Sequence, residues 1–405
     1  MFGATRRWRV GSCAAVLVAV CATVIAASAV QLPPDSPSTV AATRESEITP
    51  AVPVEQSLVV SFTGDNILGT DDNFSAASSL PTVWADNGSR PDFLFQNVRP
   101  IFTADDLTVA NFEVALTNRL TKRYKGEGEV YHFHGDPALA TTLPAGGIDV
   151  VTVANNHTFD YGQPGFENTL AALRGVGVGY FGTGSAAEGS DYDYDNLTTV
   201  KGVRFGFVGY QAWTDSPEMR QKLVADITKL RSKGADVVIP FMHWGIESEH
   251  IPYGVQTELA HLAIDAGADA VVGTHPHVIQ SMEIYRGKLI AYSFGNFSFG
   301  GNSNPTDKRT FILQTRFTMS GKQVRGVEYR VIPTRVSRTE AYNDYVPTPY
   351  PPAEKQQVLD FINEISPTLR GRASDRFVRL GPTASPAPRA ADTPNPEPTG
   401  ISAGG

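Results

Sequence analysis

Apolar, largely β-branched runs that break off in polar or metal-ligand-type residues recur through the middle of this chain. Leu58 to Phe62 leads into Gly64-Asp65 and the loop Asn66-Ile67-Leu68-Gly69, and Asp106 to Phe112 carries Asn111 and is followed by Glu113. Gly147 to Ala154 runs into Asn155-Asn156-His157, Val237 to Phe241 stops just before His243, and Ala270 to Val272 precedes His275 and His277. Runs of this length, bounded by Gly and helix-like segments, predict buried strands of an α/β sheet. Between them, Phe166 to Leu173, Pro217 to Lys233 and Gln256 to Ala266 read as helices, the first stopping at Gly175 and the second at Gly234. Val200 to Tyr210 predicts two strands around a Lys201-Gly202 turn, and a hairpin is expected near Arg286-Gly287-Lys288. Thr310 to Met319 and Gln323 to Ile332 alternate apolar with polar around Ser320-Gly321-Lys322, the pattern of a half-buried antiparallel pair. Pro352 to Ile365 predicts a closing helix. Strands alternating with helices, followed by hairpins, imply an α/β sandwich with mixed sheets. No internal repeat is visible.

The two ends of the chain read differently. Met1 to Ser12 carries Arg6, Arg7 and Arg9, Cys13 to Ala29 is uncharged and apolar, and Ala27-Ser28-Ala29 resembles a small-residue cleavage site. Residues 1–29 are therefore expected to be a secretory signal peptide, with an uncleaved signal anchor as the alternative. Residues 30–56 predict a Pro/Ser/Thr-rich spacer and 381–405 a Pro/Ala-rich disordered tail, leaving 57–380 as the folded domain. The expected location is outside the cell or on its surface, with the membrane met only through the leader.

Composition narrows the chemistry. Hydrophobic residues make up 41% of the 405, enough for a sizeable core. Both cysteines, Cys13 and Cys21, lie in the leader, so the folded domain has neither a disulfide nor a thiolate ligand. Loss of the three leader arginines would take the net charge from −8 to −11, which argues against a nucleic-acid partner. Lys122, Arg123, Lys125, Arg286 and Lys288 are read as solvated loop charges.

What remains is the set of residues at five strand ends: Asp65; Asn111 and Glu113; Asn156 and His157; His243; His275 and His277. Carboxylate, amide oxygen and imidazole suit borderline divalent ions such as Mn²⁺, Zn²⁺ or Fe²⁺. Two such ions, about 3.5–4 Å apart, can share a carboxylate and activate a water. Singly, each residue also has an ordinary explanation: Asp65 as a turn former, Asn156 as a helix cap, Glu113 as a surface acid. His132 and His134 form a further H-x-H, read as a strand-edge pair.

The stretches GDNILG (64–69), ANFE (110–113), ANNHTFDYG (154–162), HWGIE (243–247), GTHPHVIQ (273–280) and YSFGNF (292–297) resemble the bacterial CapA family of capsule-synthesis proteins, associated with poly-γ-glutamate and placed in the calcineurin-like metallophosphoesterase superfamily. The resemblance implies a four-layer αββα sandwich with one or two divalent metals at the strand ends. Position by position it implies Asp65, Glu113 and His277 on one metal, and Glu113, Asn156, His243 and His275 on the other. His157 would be the general acid, and Asp160 would either orient it or cap a helix. Asn111, Glu247 and Asn296 would line the substrate pocket, with Trp244 beside them or in the core. The superfamily's first motif is D-x-H, whereas Ile67 holds the histidine position here. Its second, G-D-x-x-D, is replaced by the region of Asn111 and Glu113. Two functions follow as expectations. One is an exported metal-dependent hydrolase or transferase acting on an envelope polymer or a phosphate ester; the other is a non-catalytic, membrane-tethered scaffold working with capsule-synthase subunits.

Overall fold

A computed structural model describes residues 55–127, 130–184, 192–369 and 372–381. The expected leader, most of the expected spacer and nearly all of the expected tail lie outside these residues. Glu55 and Gln56, assigned above to the spacer, already belong to the first strand, Glu55–Ile67, because their backbone pairs with Ser320 and Met319 of a neighbouring strand.

The predicted strands form, and a short recurring phrase explains how four of the parallel strands are set against their neighbours. Asp106, Asp149, Asp236 and Asp269 stand just before the strands Leu107–Phe112, Val150–Thr152, Val237–His243 and Ala270–Thr274. Each Asp carboxylate accepts a backbone N–H from the adjacent strand: from Val59 at 2.9 Å, Thr108 at 2.8 Å, Arg204 at 2.9 Å and Val238 at 3.0 Å. The Asp N–H donates back to the carbonyl of that same residue. Three of these Asp lie two residues after a glycine at positive φ: Gly147, Gly234 and Gly267. Only glycine adopts that conformation without a steric penalty, so the preceding helix or turn ends there and the strand starts in register.

Two sheets result. In the first, Glu55–Ile67, Leu107–Phe112, Val150–Thr152 and Gly179–Gly184 run parallel, with the hairpin Arg309–Ser320/Gln323–Arg335 added antiparallel on one side. The short strand Asn296–Phe299 runs parallel to the end of the first strand. In the second sheet, Val203–Gln211, Val237–His243, Ala270–Thr274 and Lys288–Ala291 run parallel between antiparallel edges. The hairpin predicted at Lys201-Gly202 forms, with both residues at positive φ.

The strands bury alternate side chains in different layers. Val237, Ile239 and Phe241 join Phe62, Val109, Phe181 and Phe317 between the sheets, while Val238 and Met242 face the helices Pro217–Ser232 and Gly254–Asp265. On the other side, Ala110, Phe112 and Val151 pack with Phe166, Leu170 and Leu173 of the helix Gly162–Gly175. Full burial of one such side chain is worth about 1.5–3 kcal/mol, against helix propensities of at most about 0.7 kcal/mol per ordinary residue. Packing therefore fixes the layers. The order is helix, sheet, sheet, helix, the α/β sandwich expected. Among the described residues no helix is long and apolar enough to cross a membrane.

Candidate metal centre

The parallel strands of both sheets end at one edge of the sandwich, and that edge gathers the ligand-type residues. Asp65 lies near the end of the first strand and is fully buried. Gly64 before it touches the Gly295 backbone so closely that a Cβ would come within 1.9 Å of the Gly295 carbonyl oxygen, and the Asp65 N–H donates to that same oxygen. Glu113 follows Leu107–Phe112 and is also fully buried, so it is not a surface acid. Asn111 lies with them, fully buried, donating to Asp65 Oδ1 at 2.8 Å and to Glu113 Oε2 at 3.0 Å.

His243 ends its strand against Thr274 (Nδ1 to Oγ1, 3.0 Å) and meets the Asn156 side-chain oxygen through Nε2 at 2.7 Å. Glu113 Oε1 lies 3.5 Å from the same Nε2. His275 and His277 flank Pro276 with both backbones at positive φ, 97° and 59°. Non-glycine residues are rarely held there unless their surroundings enforce it, and such strain gathers at functional sites. His277 Nδ1 lies 3.1 Å from Asp65 Oδ2 and 3.0 Å from Asn296 Oδ1.

Three sets of donor atoms each lie within 4.8 Å of one another: Glu113, His243 and His275; Asp65, Glu113 and His277; and Glu247, His275 and His277. Glu113 is common to the first two. Glu113 Oε1 and His275 Nδ1 are buried with no hydrogen-bond partner among the described residues. Leaving a buried polar atom unpaired costs roughly 1–3 kcal/mol, so such atoms call for an unseen partner. The donor set and these two orphaned atoms fit a divalent cation.

The electrostatics favour the ligating form at His243 and His275, and hold protons at Glu113 and His277 that a bound cation would displace. Burial pushes the Glu113 carboxyl well above its usual range, and the Asp65 charge adds to it. Burial lowers His243 far below an ordinary histidine and takes His275 down to about 2, with His277 and His157 adding to the latter. Both rings are thus neutral, the form that ligates metal. Burial also opposes the charge on His277, but Asp65 and Glu113 outweigh it and raise the ring to about 9.

Beside the cluster, His157 Nδ1 lies 2.7 Å from Asp160 Oδ2. Asp160 also accepts the Phe133 N–H and pairs with Lys125 through Oδ1. It is not a helix cap: the following helix begins at Gly162 after Tyr161, with no side-chain cap. Burial lowers His157, with Asp160 opposing that shift. Asn155 braces the turn, donating to the Phe112 carbonyl at 2.9 Å.

Some expectations need correcting. Lys125 is no solvated loop charge but an ion-pair partner of Asp160, and Lys122 and Lys288 likewise pair with Asp72 and Asp269, while Arg286 stays exposed as expected, beside Asp265. Trp244 belongs to the core, fully buried with Nε1 donating to the Tyr292 carbonyl. His132 is buried, its Nε2 2.6 Å from the Arg123 carbonyl, while His134 pairs with Asp72 in a two-residue strand. Trp213 escaped the sequence reading. It packs edge-on against His275 and His243, with ring centroids at 4.7 and 5.6 Å. It follows the strand Val203–Gln211, a sixth strand end, but an indole offers no ligand atom and so gives no metal signal in the sequence.

The profile of a family described as bacterial capsule synthesis protein PGA_cap matches residues 59–301. The chain is 33% identical over 253 residues to the Bacillus subtilis PGA biosynthesis protein CapA, covering 60% of this chain and 63% of that one. It is 30% identical over 221 residues to the Bacillus anthracis capsule biosynthesis protein CapA, covering 51% and 54%. A Mycobacterium tuberculosis probable polyglutamine synthesis accessory protein is 30% identical over 276 residues, covering 58% of this chain and 67% of its own. The match thus spans between about half and two thirds of each relative. A Mycoplasma pneumoniae phosphatase structure aligns with 69% of this chain and 95% of its own at 13% identity and a TM-score of 0.42, too slight a likeness to carry weight.

Proposed function

The chain belongs to the bacterial capsule synthesis protein family, and on that footing we propose that it is an exported accessory protein of envelope-polymer synthesis, of the poly-γ-glutamate type, that carries out metal-dependent hydrolysis or transfer at the strand-end cluster. The names of its relatives supply the polymer class. The observation that carries the chemistry is the meeting of Asp65, Glu113, His243, His275 and His277 around two buried, unpartnered donor atoms.

Asp65, Glu113 and His277 would hold one divalent ion, and Glu113, Asn156, His243 and His275 the other, with Mn²⁺, Zn²⁺ or Fe²⁺ the suitable ions. When bound, such ions polarise a phosphoryl or carbonyl oxygen and activate a water. The chain's own groups do the rest. Asp160 holds the His157 ring through Nδ1, which leaves Nε2 to exchange a proton with a leaving oxygen. The resting ring is neutral, because burial lowers its pKa. An anionic substrate beside it favours the protonated form that serves as the acid. Trp213 walls the histidine side and limits water there.

The test is elemental analysis of the purified chain, with His275→Ala and His277→Ala, coupled to assays on a phosphodiester probe and on poly-γ-glutamate. Bound divalent metal lost in both variants, together with metal-stimulated turnover, supports the proposal. Absence of both metal and turnover defeats it. The scaffold reading has its own supporting observation, since Ile67 is buried and apolar where the superfamily places an imidazole. It predicts that cells carrying His157→Ala still make the polymer, whereas the catalytic reading predicts loss.

A further inference from the structure

Ile67 removes one ligand from the Asp65 position, and the loop between the strand Val237–His243 and the helix Gly254–Asp265 brings a carboxylate within 4.8 Å of His277, the histidine that meets Asp65. We infer that Glu247 is a metal ligand alongside His277, standing in for the missing imidazole. The inference rests on the proposed metal centre and extends it to a residue the strand-end pattern does not reach.

Ile67 is fully buried and packs among Phe297 and Phe299, so it offers no donor atom. With Asp65, Glu113 and His277 alone, an ion there has three protein groups. Glu247 is exposed, yet one of its carboxylate oxygens lies within 4.8 Å of ring nitrogens of both His275 and His277. The three donor sets share their members in a closed way. Glu113 links the sets completed by Asp65 and by His243, while His275 and His277 link those two sets to the one completed by Glu247. Glu247 thus reaches His277, the imidazole of the Asp65 set, and a carboxylate beside that imidazole adds a donor of the type borderline divalent ions accept.

The approach of Glu247 is built into the backbone. Gly245 and Ser248, on either side of it, have φ of 96° and 67° and turn the chain back sharply. The Ser248 N–H donates at 2.8 Å to the carbonyl of Pro276, the residue between the two histidines. Farther along, the Gln280 side chain donates to the Glu249 carbonyl at 2.9 Å, and Gln256 donates to Gln280 at 2.8 Å. The loop is therefore tied to the His275-Pro276-His277 turn and does not wander over it. A Cβ on Gly245 would meet the Gln256 amide at 2.9 Å and the Pro276 ring at 3.0 Å, so the residue before Ile246 must be small. A third carboxylate among Asp65 and Glu113 is unfavourable without cations, and two divalent ions offset all three.

The experiment uses the purified full chain, stripped by a chelator and titrated with Mn²⁺ and separately Zn²⁺, with bound metal counted by elemental analysis and affinity by calorimetry. The wild type is expected to bind two ions. Glu247→Gln, on an exposed loop and so neutral to folding, is expected to lose one of them or to bind it at least about 10–100-fold more weakly, the cost of losing even an outer partner of a ligand. Glu247→Asp should fall between, and Ile67→His placed in Glu247→Gln should restore the lost ion. His243→Ala should remove the other ion and leave the Glu247-dependent one. If the wild type binds two ions and Glu247→Gln binds both with unchanged affinity, the assignment of Glu247 is overturned while the metal centre stands. If the wild type binds none, the metal centre itself falls, and Glu247 with it.

Discussion

Asp160 serves three partners from one buried carboxylate: the His157 ring, the Phe133 N–H and the Lys125 ammonium. Burial would raise its pKa, but His157 and Lys125 outweigh that and hold it below the usual carboxylate range. It stays charged and fixes which nitrogen of His157 faces the cleft. Asp160→Asn keeps the shape and removes the charge, and a flipped amide would present a donor to Nδ1. We expect turnover to fall by about 10²–10⁴ with metal content unchanged, checked by kinetics beside elemental analysis. Asp105 shows the opposite environment far from the cluster. Burial raises it to about 7, despite hydrogen bonds from Ser61 and Thr108 that favour the charged form. A raised carboxyl binds its proton more tightly in the folded state, so its contribution is full below the unfolded pKa of 3.8 and is lost as pH rises to about 7. Asp105→Asn should therefore melt higher than wild type above pH 7, and the gap should close toward pH 4 in thermal scans.

At the scale of elements, the aspartate before four of the parallel strands is a clamp: its carboxylate takes one N–H from the neighbour and its own N–H gives one back to the same residue. Asp149→Ala would strand the Thr108 N–H that now donates at 2.8 Å. We expect a loss of about 1–3 kcal/mol in urea unfolding, with the strand-end cluster unaffected because it sits at the opposite ends of the strands. The phrase Gly-x-Asp before an apolar run was visible in GIDVV, GADVV and GADAVV. The hydrophobic period marks the strands but gives the aspartate no role, because the clamp is made to a neighbour distant in the sequence. Element type was well indicated by period: the helix expected at Pro217 to Lys233 spans Pro217–Ser232 and is capped by Ser216, whose Oγ accepts from the Met219 N–H. Ends were less so. The strand expected over Gly147 to Ala154 keeps only Val150–Thr152, because the residues after it turn to bring Asn155, Asn156 and His157 to the strand-end cluster.

For the whole molecule, metal and stability are linked. Ions held at the strand-end cluster as proposed would bind the folded state and not the unfolded chain, worth about 2.7 kcal/mol at a hundredfold excess over Kd. Stripping the protein with a chelator should lower its melting temperature by several degrees, and the chelator should have little effect on a His243→Ala, His277→Ala double variant, as calorimetry would show. An unchanged wild-type melting curve would count against the metal centre. Period and strand ends in the sequence determined the layers, the strand–helix order and the ligand-type residues at five strand ends, since burial in this fold obeys local alternation. Tertiary structure alone decided the rest. Lys125, Trp213 and Glu247 come from loops with no periodic signal, and their places depend on how the chain returns across the sheet edge. The distances among Asp65, Glu113 and His277 exist only because residues up to 212 positions apart are packed against one another, a relation no local pattern encodes.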